Sequence, residues 1–313
     1  AALDAVAHGD HQPPARGAFV IPPQLDAVDP GIGDRYFERG LLAAGIDDRW
    51  GYIDLAGNWR IAPQFFRAEE FDETTGLAPV VIEKTETSVD QVALANWRAE
   101  VAEARARRRE QIEAWGYSYV QVPTEEPDFS VTTTSQLHGF VNTEGRLVVA
   151  PQYRGTTGFS EAGLAAVQVD DNWGYIDPSG GLKVAPQFAY ANAFRKVGDS
   201  HLAVVGILSG PEDRREWRYG VIDVTGKYVI QPHYDYIDSF ADHGLARVRV
   251  SNLWGAIDAT GKFRINPTYS RLNLLPDKSG YLFARDGAVG TEVGILGLDG
   301  SPRISVRGEL CEA

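Results

Sequence analysis

Methionine is missing from all 313 residues, and cysteine occurs once, at Cys311. A single thiol excludes an intramolecular disulfide and any thiolate metal cluster. The missing methionine at position 1 leads us to expect a processed or trimmed chain, removal of a signal peptide being one route to it. An exported, periplasmic or extracellular location is favoured over a cytoplasmic one. Basic residues are in deficit: 30 Lys and Arg face 43 Asp and Glu, for a formal charge of −13. Phosphate neutralisation needs a basic footprint, so no nucleic acid is expected as a partner, and no adsorption on anionic lipid. Long apolar runs are absent too. The longest, such as Leu202 to Leu208, fall far short of the ~20 residues of a spanning helix, so membrane insertion is not expected.

Chemistry-bearing motifs are equally scarce. The six histidines at 8, 11, 138, 201, 233 and 243 form no i, i+4 pair and have no cysteine partner, so no transition-metal site is expected. His8 and His11, with Asp10, read as a solvated tail. There is no Gly-rich phosphate loop, Gly-x-Ser-x-Gly elbow or kinase-like set. Gly198-Asp199-Ser200-His201 has the opening block of one class of serine esterases, but it falls mid-chain before a strand and Asp242-His243 is wrongly spaced to complete it. The acidic clusters Glu69-Glu70 with Asp72-Glu73, and Glu125-Glu126 with Asp128, read as solvated surface. No cofactor and no metal is expected, and the chain is not expected to be an enzyme.

What the chain has in quantity is glycine (33), proline (17) and aromatic residues (11%), within a hydrophobic content of 43% able to build a core. They recur in a fixed frame. Trp173-Gly174-Tyr175-Ile176-Asp177, Gly180, Pro186-Gln187-Phe188 and Phe194 form its clearest copy, led by Gly163-Leu164-Ala165-Ala166-Val167. The frame recurs from Trp50-Gly51-Tyr52-Ile53-Asp54 and from His138-Gly139-Phe140-Val141-Asn142, and again from Tyr219-Gly220-Val221-Ile222-Asp223 and Trp254-Gly255-Ala256-Ile257-Asp258. In all five the two glycines lie six apart, and the Asp or Asn precedes a proline by nine. A sixth, weaker copy has Gly294 and Gly300, with Gly297 in the Asp slot, and Val20 to Leu25 looks like an orphan tail.

One unit reads as a small β-meander. A leading strand ends at turn residues Asp170-Asp171-Asn172. Trp173 to Asp177 forms the second strand, Asp-x-x-Gly a hairpin, and Leu182 to Ala185 the third strand, with Pro186 ending the pairing. The repeated Asp54, Asp177, Asp223 and Asp258 read as turn caps, since a Ca²⁺ site needs more oxygens than one hairpin offers. Trp50, Trp173 and Trp254 read as packing between units rather than sugar-stacking platforms. A meander of about 35 residues cannot bury its apolar face alone, so neighbours must stack. The Gly-Leu-Ala lead, Trp-Gly-Tyr-Ile-Asp, the closing Gly and Pro-Gln-Phe resemble the WG (KWG) repeat family of bacterial proteins, over most of residues 40 to 300. Departures are His138 and Tyr219 in the Trp slot and Val293 in the last copy. The resemblance implies a repeat architecture and an interaction role, with no settled activity.

Successive glycine anchors at 51, 139, 174, 220, 255 and 294 are 88, 35, 46, 35 and 39 residues apart, which exposes two insertions. The first, 83–136, is expected to hold a helix at about 88–114, with Ser88 and Gln91 as a capping box. Leu94, Trp97, Val101, Ala104, Ile112 and Trp115 lie near one face, interrupted by Arg108. That stripe either packs on the β array or presents Trp97, Arg105, Arg108 and Trp115 to a partner. Trp115-Gly116-Tyr117 mimics a repeat head, but position 122 is Val where the frame needs Gly. The second insertion, 208–217, reads as a charged, solvated hairpin loop, with direct contact to a partner through Arg214 and Arg215 as the alternative.

The expectation is therefore an all-β repeat protein of tandem three-stranded meanders, solenoid-like or else propeller-like, with one inserted helix. An N-terminal arm with the orphan half-repeat (1–36) precedes the array (37–306), and a short tail (307–313) follows it. The function expected is that of a binding scaffold for a protein partner, and a basic one fits the charge. A cell-envelope glycan or peptidoglycan binder is the alternative, and an enzyme sited on the insertions the last reading.

Overall fold

The computed structural model describes residues 25–28, 38–287 and 290–307. The orphan tail (apart from Leu25), His8, His11 and Cys311 lie outside them. The chain divides into two units, one of Ala1–Ile82 with Leu137–Ala313 and one of Glu83–Gln136.

The larger unit is an all-β repeat. Six antiparallel sheets follow one another along the chain. In the third, Gly155–Phe159, Ala165–Val169, Asn172–Ile176 and Leu182–Phe188 pair in sequence order. Each meander thus gains a fourth strand at its leading edge. It is supplied by the few residues that follow the preceding proline and aromatic: Arg67–Ala68 in the second sheet, Tyr190–Ala191 in the fourth, Tyr236–Ile237 in the fifth. The strand that closes one sheet is therefore followed, one residue later, by the strand that opens the next. Gly198-Asp199 is the turn between Arg195–Val197 and Ser200–Ser209, as a loop leading into a strand should be.

The third strand is longer than the sequence suggested. It runs through Pro186 to Phe188, which pairs with Trp173, and the register shifts between Trp173 and Tyr175. Proline is tolerated because this is an edge strand with a bulge, where no ladder N–H is required. The same bulge explains the glycine after each Trp slot. A Cβ on Gly174 would lie 2.5 Å from the Val184 carbonyl oxygen and 2.7 Å from the Pro186 nitrogen. The two signature residues, Gly and Pro, are the two sides of one close backbone crossing.

Five apolar clusters each join one sheet to its successor. Between the third and fourth sheets, Leu164, Ala166, Tyr175, Val184 and Phe188 meet Ala191, Ala203, Val205 and Ile222. Ala165, Val167 and Ile176 face the other way, into the second sheet's Phe140, Val149 and Tyr153. Burial on both faces is why the leading strands read as continuous apolar runs rather than alternating ones. Tail aromatics pack on head aromatics of their own repeat: Phe71 on Tyr52 at 4.6 Å, Phe159 on Phe140 at 4.7 Å and Phe194 on Tyr175 at 4.7 Å. The Tyr175 hydroxyl also donates to the Asn192 carbonyl at 2.8 Å. The turn glycine takes a positive φ, +84° at Gly180, and leans on the preceding repeat. A Cβ there would meet Val149 at 3.3 Å, and one on Gly226 would meet Val184 at 2.9 Å.

The smaller unit holds the one α-helix of the chain's described residues, Gln91–Trp115, among stretches of two long strands, Leu77–Val89 and Ser130–Asn142. Within the unit those strands are linked by Thr85–Thr134 and Thr87–Thr132 hydroxyl bonds at 3.2 and 3.1 Å. Because the strand persists to Val89, Ser88 belongs to it and does not cap the helix. Asp90 caps instead, accepting from the Val92 and Ala93 N–H groups at 3.0 and 2.9 Å. Gly116 closes the C-terminus with φ +77°. The helix is not apolar enough to cross a membrane.

Candidate functional site

Most signature residues are committed to structure. Asp177 Oδ1 accepts from the Ser179 and Gly181 N–H groups at 2.9 and 3.0 Å, and Asp54, Asp223 and Asp258 repeat the pattern. Asn142 does the same in the second sheet, accepting from Glu144 and Arg146. The Ser179 hydroxyl, the Lys183 ammonium and the Gly181 N–H together hold the Asp177 carboxyl well below the usual carboxylate range. Trp50, Trp173 and Trp254 are half-buried against their sheet-to-sheet clusters. Gly51, Gly139, Gly220 and Gly255 make the same backbone crossing as Gly174. Among the described residues no group of three or more His, Cys, Asp or Glu is placed to hold a metal ion.

Two surfaces stand apart from this pattern. The first is an aromatic ladder across the fourth and fifth sheets, which the sequence reading did not single out. Trp217 lies near-parallel to Tyr219 at 5.9 Å. Tyr219 meets Tyr190 at 5.8 Å and Tyr236 at 5.5 Å, and Tyr236 meets Trp254 at 5.9 Å. Tyr190, Trp217 and Tyr236 keep 38%, 42% and 37% of their surface exposed, unlike the buried aromatics of the repeat core. Gly206 is the floor of this cluster. A Cβ on it would touch Tyr190 and Tyr219 at 3.2 Å and Trp217 at 3.3 Å. In the fifth sheet Arg249 takes the place of that floor, between Tyr236 and Trp254, with its guanidinium 5.8 Å from the Trp254 ring. Ion pairs border the rings: Arg218 with Asp235 at 2.6 Å and Arg247 with Asp238 at 2.5 Å.

The signal for this ladder is in the sequence. Tyr190 and Tyr236 each stand two residues after the signature aromatic, where other repeats carry Arg67, Gly155 or Arg271. The second insertion extends the fourth sheet's hairpin by the pairs Leu208–Trp217 and Ser209–Glu216, so it delivers Trp217 to the ladder. Arg214 and Arg215 are at its tip, exposed and loosely paired with Asp213 and Glu212.

The second surface belongs to the smaller unit. The helix stripe is divided: Leu94 and Val101 are buried, Trp97 turns to Phe129 at 6.2 Å, and Ile112 and Trp115 are exposed. Arg105 and Arg108 are brought together with Arg109 along a cleft of about 570 Å³, whose other walls are Ile112, Glu113, Val122, Pro123 and Thr124. Trp97 and Trp115 are not part of that lining.

The sequence profile described as WG containing repeat matches residues 50–85, 139–173, 173–205, 219–254 and 254–285. No curated protein matches the sequence. Among solved structures the chain is similar to a eukaryotic initiation factor, at 13% identity and a TM-score of 0.41, covering 97% of this chain and 81% of that one. It is also similar to the Dos1 propeller, at 10% identity and a TM-score of 0.31, covering 56% and 55%. Porphyromonas gingivalis dipeptidyl peptidase 4 is similar at 10% identity and a TM-score of 0.43, covering 87% of this chain and 44% of that protein.

Proposed function

The chain belongs to the WG containing repeat family, and from that premise we propose that it is a binding scaffold, not a catalyst, and that it grips a protein partner. One observation carries the reading. The repeat buries its aromatic residues between sheets, yet in the fourth and fifth sheets five rings form a continuous strip with three of them substantially exposed. Tyr and Trp contribute large contact area at small entropic cost and dominate protein interfaces. The formal charge of −13 favours a basic partner and speeds encounter with it.

A second reading uses the same rings. Exposed aromatic faces edged by Asp and Arg also suit sugar rings, so a cell-envelope glycan is the alternative ligand.

Immobilised wild type and a Trp217→Ala/Tyr236→Ala variant, exposed to an extract of the source cells and compared by mass spectrometry, test the proposal. At least one protein held by the wild type should be lost from the variant. Identical eluates would sink the reading. Co-sedimentation of the wild type alone with purified peptidoglycan would assign the ladder to glycan.

A further inference from the structure

The cleft of the smaller unit shares no residue with the aromatic ladder. Arg105, Arg108, Arg109 and Ile112 follow the i, i+3, i+4, i+7 spacing that puts side chains on one helix face. Among the described residues none of the three guanidinium groups has an ion pair or a hydrogen bond, although Arg107 on the same helix pairs with Glu103. Three unpaired cations side by side are unexpected in a chain with an excess of 13 acidic charges. Planar guanidinium forks match carboxylates bidentately, which makes the cluster a receptor for anions.

The opposite wall says which anion. Residues 117–124, of which Val122, Pro123 and Thr124 line the cleft, have neither helical nor strand structure. Among the described residues no backbone-to-backbone hydrogen bond engages them, and only the Val120 N–H is satisfied locally, by the Ser118 hydroxyl at 3.1 Å. Such a segment offers its C=O groups, and its N–H groups except at Pro123, to an added extended chain. Val122, Pro123 and Ile112 provide apolar contact between that backbone and the arginines. Glu113, toward the helix C-terminus, gives the cleft a polarity, with the anionic end of the ligand at Arg105 to Arg109.

We propose that this cleft binds an extended, acidic peptide segment of a partner protein: carboxylates on the three arginines, main chain along residues 117–124, short of the acidic Glu125, Glu126 and Asp128, and apolar side chains against Ile112 and Val122. The proposal adopts the scaffold reading but rests on none of the ladder residues.

The test uses the full chain and fluorescently labelled eight-residue peptides in which Glu alternates with Val, or Lys with Val, read by anisotropy. The acidic peptide should bind and the basic one should not. Arg105→Gln/Arg108→Gln should weaken binding by about tenfold or more, and added salt should weaken it further. Arg107→Gln removes one charge outside the cleft and should change affinity by less than about twofold, its loss being a rim effect. Arg105 and Arg108 have no ion pair among the described residues to lose, Arg107 loses only an exposed one to Glu103, and unchanged circular dichroism verifies that the variants fold. Trp217→Ala/Tyr236→Ala should bind the peptide normally, which separates failure here from failure of the ladder. The proposal is overturned by no binding to the wild type, by equal weakening in Arg107→Gln, or by displacement of the peptide by an equal concentration of inorganic phosphate.

Discussion

At the scale of single residues, the repeat signature resolves into a few tight constraints. Gly174 leaves room for the Val184 carbonyl and the Pro186 nitrogen, so Gly174→Ala must push backbone against backbone. A loss of about 2–3 kcal/mol is expected, seen as a lower denaturant midpoint. The turn aspartates predict an acid limit. The Asp177 carboxyl is depressed below its ordinary value of 3.8, so its contribution is fully present above that pH. It is lost as pH falls through the lower folded value. Asn142 occupies the same turn position with the same two backbone bonds, so Asp177→Asn should keep the turn and flatten the dependence of stability on pH below 3.8. Denaturation curves for both proteins on either side of that pH provide the check. His138, in a Trp slot, behaves oppositely to a paired histidine. Burial, and then the nearby Arg67, push its pKa below 6.5, so protonation as pH drops below that value works against folding.

At the scale of elements, the local periodicities were legible and the long-range pairings were not. The Trp-Gly strand, the Asp-x-x-Gly turn and the helix all stand where the pattern put them. The fourth strand of each sheet was hidden, because two residues such as Tyr190–Ala191 carry no period and gain strand form only from the neighbour they pair with. The helix cap was misplaced for a similar reason. Ser88 matches a capping box locally, but pairing extends its strand to Val89. Asp90→Ala should therefore cost the helix about 1 kcal/mol and lower the melting point of the helical dichroism signal, whereas Ser88→Ala should leave it unchanged. The ladder escaped notice because its rings come from three different frame positions that only the sheet brings together. The Arg cleft was half visible. Arg105 and Arg108 stood out as the residue type that dominates interfaces, but their lack of counter-charges among the described residues and the open backbone opposite could be seen only in three dimensions.

At the scale of the whole molecule, stability is a series of neighbour terms, each cluster tying one sheet to the next. Cores built this way have no single centre whose loss unfolds everything, and the two insertions add surface without interrupting the series. Repeats four and five are the ones that depart toward exposed rings, so a scaffold of like units has been given one distinctive stretch. The direct succession of closing and opening strands has a mechanical consequence. Because a single residue separates the strand that finishes one sheet from the strand that begins the following one, tension along the chain cannot peel a sheet away without loosening its neighbour's edge. Stretched between its ends, the array should yield as a train of ruptures, one per unit. Each should release the slack of its own unit, 35 residues between Gly139 and Gly174 or about 120 Å of extended chain, and more where the insertions lengthen the spacing to 46 and 88 residues.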